Sequence, residues 1–172
     1  MKSTTIIFSM IALMALAGLF IFGYTGKGVT QKTSVQNSAN ALASRSFLTA
    51  TEASFDFGSI SMKDGNVTKN FTVTNSTNKT VTIATVLTSC MCTSAFIVEA
   101  NGNTKGPFGM AGMGRVPPAD EAIPAGENRI IRVVYDPNAH GPSGVGRINR
   151  LVTLTDTEGG TLDLEIKALV TP

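Results

Sequence analysis

The residues of this chain that could do chemistry centre on a Cys-Met-Cys motif, Cys90-Met91-Cys92, which holds both of its cysteines. In one interpretation, the motif ends a strand and one sulfur is buried there as a compact hydrophobic group. In a second, the two cysteines form a disulfide, which export from the cytoplasm would favour. The Cα separation of residues i and i+2 in an extended chain lies at the upper edge of disulfide geometry, so such a bond would be strained, reducible and open to thiol exchange.

A third interpretation is a soft-metal site, because two thiolates one residue apart can bind one ion and thioether sulfur also suits copper(I). Its candidate ligands are Cys90, Cys92, Met110, Met113 and the only histidine, His140. Of the four methionines beyond the N-terminal segment, three lie in or near this region. Two points weigh against a metal. In an extended motif the middle methionine would point away from both cysteines, and a histidine after a proline-containing turn is commonly a surface residue.

Other classes of function find little support in the sequence. His140 is the only histidine that could act as a general base, and no nucleophile motif surrounds any serine, which argues against a hydrolase. The glycine-rich segment lacks the Lys-Ser/Thr of a phosphate-binding loop. A net charge of +2 and the absence of tryptophan argue against nucleic-acid binding. We therefore expect no enzymatic activity, and we interpret Arg129, Arg132, Arg147 and Arg150 as solvated strand faces.

The elements that must position the motif are short strands. An apolar residue at every second position over 161–170 predicts a half-buried strand. Further strands are predicted to begin at or lie within 54–57, 67–75, 81–90, 95–100, 129–135 and 147–155. About seven strands without a credible soluble helix predict an all-β, antiparallel sandwich. The segment 101–126, with six glycines and four prolines, is predicted to be a long loop beside the cysteines, and therefore a lid or a source of ligands.

The N-terminal part of the chain has a different character. Residues 3–26 carry no charge and are long enough to cross a membrane, and no small-residue cleavage site follows them closely. We therefore predict a membrane anchor or signal segment over 1–26, with a retained anchor favoured. A flexible polar linker is predicted over 27–50 and the β-domain over 51–172.

The order of several short motifs resembles the bacterial domain-of-unknown-function family 1573. These motifs are Phe55-Asp56-Phe57-Gly58-Ser59-Ile60, Ser89-Cys90-Met91-Cys92-Thr93, Ile123-Pro124-Ala125-Gly126-Glu127, Val134-Tyr135-Asp136 and the final strand from Leu164 to Val170. The resemblance implies an extracytoplasmic, immunoglobulin-like domain, similar in shape to pilus-chaperone and cilium-associated sandwiches and without established activity. The family usually has glycine where this chain has Met91. Its Pro-Gly turn is widened here, and the glycine- and methionine-containing loop ahead of that turn is longer.

The function favoured by the sequence is a membrane-tethered binding or scaffolding module of the cell envelope, facing the periplasm or the cell surface. Its partner would be another envelope protein, recognised by a sheet face, an edge strand or the long loop. Two alternatives remain open: a copper-handling protein that uses the candidate ligands above, and a thiol-disulfide role for Cys90 and Cys92.

Overall fold

The computed structural model describes residues 45–172, which contain ten β-strands and two short 3-10 helices. The strands are β1 (Leu48–Ala50), β2 (Ser54–Ser61), β3 (Val67–Asn75), β4 (Val81–Thr88), β5 (Thr93–Val98), β6 (Thr104–Phe108), β7 (Glu121–Ile123), β8 (Asn128–Tyr135), β9 (Gly146–Asp156) and β10 (Thr161–Thr171). The 3-10 helices are Met62–Asp64 and Gly141–Gly144. Within 45–172 no helix has the length and apolar character to cross a membrane. The predicted membrane segment and most of the predicted linker lie outside the described residues.

The strands form two five-stranded sheets. Sheet I has the order β1-β3-β8-β5-β6, and sheet II has the order β2-β10-β9-β4-β7. In sheet I, β1, β3, β8 and β5 take the places of strands A, B, E and D of an immunoglobulin domain. In sheet II, β4, β9 and β10 take the places of strands C, F and G. The predicted all-β, immunoglobulin-like sandwich is therefore confirmed.

The prediction of a wholly antiparallel sandwich was wrong in one place. Strand β2 pairs with β10 in parallel, with Ser54 opposite Glu165 and Thr171 opposite Ser61. The cause is a change of sheet, since β1 pairs with β3 in sheet I and the chain then crosses to sheet II. Strand β1 itself lies at the end of the segment 27–50 that was predicted to be linker.

All seven predicted strands are present, but the segment 101–126 is not the continuous loop that the sequence predicts. It contains β6, which pairs with β5, and β7, which pairs with β4. Only 109–120 between them is turn and irregular chain. Gly106 and Pro107 interrupt the alternation of β6, and β7 has only three residues, so neither strand has a readable period.

Inward-facing side chains of the two sheets form one core. Its fully buried members include Phe71, Ile131, Leu154 and Ile166, and the side chain of Cys92 belongs to the same cluster. Burying one large aliphatic or aromatic side chain contributes about 1.5 to 3 kcal/mol. The Cys-Met-Cys motif is thus joined to the main core, with Cys92 as a buried member and the half-buried Cys90 packed against the cluster.

A buried ion pair network also connects the sheets. The carboxylate of Glu121 on β7, in sheet II, lies 2.6 Å from Lys105 Nζ on β6 and 2.6 Å from Arg129 Nε on β8, both in sheet I. Arg129 is only 9% exposed, so its interpretation as a solvated residue was wrong. Burial would raise the pKa of Glu121, but hydrogen bonds from Lys105 and Arg129 outweigh it and lower the pKa.

Candidate functional site

The Cys-Met-Cys motif forms a tight turn where the chain passes from β4 in sheet II to β5 in sheet I. The amide of Thr93 donates a 3.1 Å hydrogen bond to the carbonyl oxygen of Cys90, which also accepts from Thr88 Oγ1 at 3.0 Å. The turn brings the Cα atoms of Cys90 and Cys92 to 5.2 Å, inside the usual range for a disulfide. The two cysteines are joined by a disulfide. The turn shortens the Cα separation relative to that of an extended chain, so the geometric argument against a disulfide does not apply here.

The two sulfur-bearing residues have different environments. Cys92 is 2% exposed and packs in the core, whereas Cys90 is half-buried. Met91, between them, is 51% exposed. An attacking group from solvent therefore has better access to the Cys90 end of the disulfide than to the Cys92 end.

His140 lies against the Cys90 end. Its Nε2 atom is 3.1 Å from Cys90 Sγ. The loop that carries it is attached to the motif, since the amide of Asp136 donates a 2.9 Å hydrogen bond to the carbonyl oxygen of Cys92. His140 remains exposed to solvent, as expected for a histidine on a surface turn, but its ring nitrogen faces a sulfur atom.

Arg150 lies against the Cys92 end. Its Nε atom donates a 3.2 Å hydrogen bond to Cys92 Sγ, and its Nη1 atom donates to the carbonyl oxygen of Asn149 at 2.9 Å. The interpretation of Arg150 as a solvated residue was wrong: it is half-buried, in register with the inward-facing Ile148 and Val152 of β9. That register was readable from the sequence and was the signal that could have identified Arg150.

The charge of Arg150 also reaches the nearby core. Burial raises the pKa of Tyr135, and Arg150 opposes this shift by favouring the phenolate. The positive charge of Arg150 therefore influences a buried residue at this end of the sandwich, where electrostatic interactions are stronger than in bulk water.

Three of the five predicted metal ligands come together. One ligand atom each from Cys90, Cys92 and His140 all lie within 4.8 Å of one another. Met110 and Met113 lie on the turn after β6, which begins beside the end of β4 because Thr88 N donates to the carbonyl oxygen of Gly109 at 3.1 Å. Met110 is half-buried and Met113 is 57% exposed. The contact group is thus two cysteines and one histidine, with the methionines on a neighbouring turn.

Residues 48–103, which include the cysteine turn, match the profile of a family described as Protein of unknown function (DUF1573). The expected resemblance to this family is confirmed over these residues. No curated protein matches the chain significantly.

Solved structures with a similar fold include a protein of unknown function from Porphyromonas gingivalis W83, with a TM-score of 0.51 and 13% sequence identity over 74% of this chain and 48% of that one. The PapD-like domain 7 of human CEP192 has a TM-score of 0.46 and 10% identity, over 74% of this chain and 87% of the domain. The periplasmic chaperone SfaE has a TM-score of 0.40 and 11% identity, over 73% of this chain and 58% of that one. The chain spans about half the length of the Porphyromonas protein. At these identities the first likeness supports the sandwich fold alone.

Proposed function

We propose that this domain is an extracytoplasmic thiol-disulfide module, which engages a thiol of another envelope protein through Cys90. The observation that carries the proposal is that the two sulfurs of the disulfide lie in different environments. Cys90 is half-buried with an imidazole nitrogen 3.1 Å from its sulfur, and Cys92 is buried with an arginine donor 3.2 Å from its sulfur. Cys90 Sγ is therefore the sulfur accessible to an attacking thiolate, and Cys92 Sγ is positioned to be the leaving group.

The exchange step follows from this arrangement. A partner thiolate attacks Cys90 Sγ, a new bond forms between the partner sulfur and Cys90, and the bond between Cys90 and Cys92 breaks. The electron pair of the broken bond stays on Cys92 as a thiolate, which accepts a charge-assisted hydrogen bond from Arg150. Attack by Cys92 on the mixed disulfide reverses the step. A second thiol on the partner would instead release an oxidised partner and the reduced domain.

The size of the disulfide loop supports a chemical role over a structural one. The two cysteines are two positions apart, so the bond closes a loop of only three residues. Closing so short a loop stabilises a fold by about 1.6 kcal/mol in the chain-entropy description, less than the 2 to 4 kcal/mol that is usual for a disulfide.

The proposal retains the binding role and the location that the sequence favours. Exchange is stoichiometric, so the domain acts as a binding module and not as an enzyme, displayed on the envelope by the segment 3–26. Met91 at the turn is 51% exposed and Leu151 is 38% exposed. The backbone of Leu151 pairs with that of Ser89 at the start of the same turn, where Ser89 N donates to Leu151 O at 2.9 Å. These two side chains offer a partner a small apolar contact beside the disulfide.

The test uses the oxidised full chain in mild detergent, mixed with excess reduced glutathione, quenched with acid, alkylated and analysed by peptide mass spectrometry. We expect glutathione on Cys90 and a free thiol at Cys92. Losing a hydrogen bond to a charged sulfur costs about 1.5 to 3 kcal/mol, so Arg150→Met should slow exchange about tenfold or more. Arg147→Met, an exposed position on the same strand, is the matched control and should not slow it. Adducts on Cys92, or a disulfide inert to glutathione, would contradict the proposal.

A further inference from the structure

We infer that reduction of the disulfide creates a binding site for one copper(I) ion, with Cys90, Cys92 and His140 as its ligands. The inference rests on the proposed function, since exchange with a partner thiol is the reaction that opens the disulfide. The domain would then have a metal site that exists only when the two cysteines are reduced.

The geometry supports a shared ion. Ligand atoms bound to one ion at metal–sulfur and metal–nitrogen distances of about 2.0 to 2.3 Å lie roughly 3.5 to 4 Å apart. The two sulfurs and the imidazole nitrogen of this group already lie within 4.8 Å of one another. The nitrogen that faces Cys90 is Nε2, one of the two ring atoms able to bind a metal. After reduction, we expect the Cys90 side chain, which is half-buried on a turn, to rotate and open the space between the sulfurs.

The charge of the surroundings selects a monovalent ion. Two thiolates, a neutral imidazole and copper(I) carry one net negative charge, and the guanidinium of Arg150 at 3.2 Å from Cys92 Sγ balances it. A divalent ion such as zinc would make the same centre neutral and leave the arginine charge uncompensated beside the core. Three soft and borderline ligands also suit copper(I), whereas structural zinc sites have four.

Binding and oxidation exclude each other, because the thiolate is the metal ligand and the disulfide has none. When a partner disulfide oxidises the loaded domain, the bond between Cys90 and Cys92 forms and two electrons pass to the partner. The partner leaves as two thiolates, and copper(I) is released unchanged. The cysteine turn thus couples thiol exchange with an envelope protein to the uptake or release of one ion.

The test is an anaerobic competition titration of copper(I) against bicinchoninate, with the full chain in detergent after reduction and removal of the reductant. We expect one copper(I) per reduced chain, and no binding to the oxidised chain or to the reduced Cys90→Ser, Cys92→Ser double variant. His140→Ala, at an exposed position, should weaken binding at least tenfold. Binding by the reduced chain no tighter than by the double variant, or unchanged in His140→Ala, would overturn the inference.

The role of Arg150 gives a second readout that a merely structural residue would not produce. Arg150→Leu, which removes the charge without adding a sulfur ligand, should weaken copper(I) binding about tenfold, the lower end of the usual effect of a residue that supports a ligand, while zinc binding stays equal or becomes tighter. Arg147→Leu is the control and should change neither affinity. Equal losses for both ions in Arg150→Leu would overturn the choice of a monovalent ion.

The two proposals fail separately. Copper(I) binding by the chemically reduced chain, together with an oxidised chain that does not react with glutathione, would leave the metal site standing and remove the exchange function. Exchange at Cys90 without copper(I) binding would do the reverse.

Discussion

Reduction of the Cys90–Cys92 disulfide should leave the domain folded and only slightly less stable. The bond closes a three-residue loop, which removes about 5.4 cal/mol/K of conformational entropy from the unfolded chain and contributes about 1.6 kcal/mol at 25 °C. The entropy of unfolding of a domain of this size is about 0.27 kcal/mol/K near 60 °C, so the midpoint of thermal unfolding, Tm, should fall by about 6 °C. The turn retains its hydrogen bonds from Thr88 and Thr93 to the carbonyl oxygen of Cys90, which need no disulfide.

The measurement compares the unfolding of the oxidised and reduced full chain by circular dichroism in the same detergent, with alkylation after each scan to verify the redox state. The double variant Cys90→Ser, Cys92→Ser, kept without reductant, should also fold. It should be less stable than the reduced chain, because Cys92 is buried and a hydroxyl replaces its sulfur.

A fall in Tm of about 15 °C or more on reduction, or loss of the β-sheet signal at 25 °C, would refute the reasoning. Either result would mean that the disulfide stabilises the end of the sandwich by more than about twice the loop estimate of about 1.6 kcal/mol. It would then be a structural bond, and the energetic argument for a chemical role would be lost.

Three further predictions concern the sandwich itself. Glu121→Gln should lower the free energy of unfolding in urea by about 3 kcal/mol or more, since it removes the carboxylate that lies 2.6 Å from Nε of the buried Arg129, while the exposed Glu127→Gln should cost under about 1 kcal/mol. Asn75→Ala should cost about 2 to 3 kcal/mol, because the buried amide donates to two carbonyl oxygens and accepts from Thr77, whereas Asn78→Ala at an exposed position should be near neutral. Hydrogen bonds from Lys167, Ser54 and Asn149 lower the pKa of Glu165 to about 2 from 4.5. Its contribution to stability should therefore be complete above the ordinary glutamate pKa and be lost as the pH falls toward 2. Urea midpoints measured between pH 6 and pH 2 should show less acid loss in Glu165→Gln than in the wild type.

The seven predicted strands were predictable because alternation is a local property. In β10, polar and apolar residues alternate from Thr161 to Ala168, and this pattern is present in the sequence whichever strand lies beside it. The two strands in 101–126 have no such alternation. Strand β7 has three residues and is held by its pairing with β4, so only the neighbouring strand reveals it.

The residues of the site also differ in how far the sequence identifies them. Cys90 and Cys92 stand out in the sequence because they are the only cysteines and lie next but one to each other. His140 was a candidate only as the sole histidine, and Arg150 was assigned to solvent. Their positions are 50 and 58 residues from the cysteines that they contact, and no local pattern records a contact at that separation.

By itself, the sequence determined the all-β class, the resemblance to the family, the seven main strands and the location of the cysteine chemistry, because each of these depends on residue types at short spacing. Only the tertiary structure decided that the motif is a turn and not a strand end, which cysteine is exposed, and which side chains face each sulfur. The physical reason is that sheet pairing, set by the core as a whole, brings the loop after β8 and the middle of β9 to the turn between β4 and β5. Solvent access and charge at the disulfide follow from that assembly.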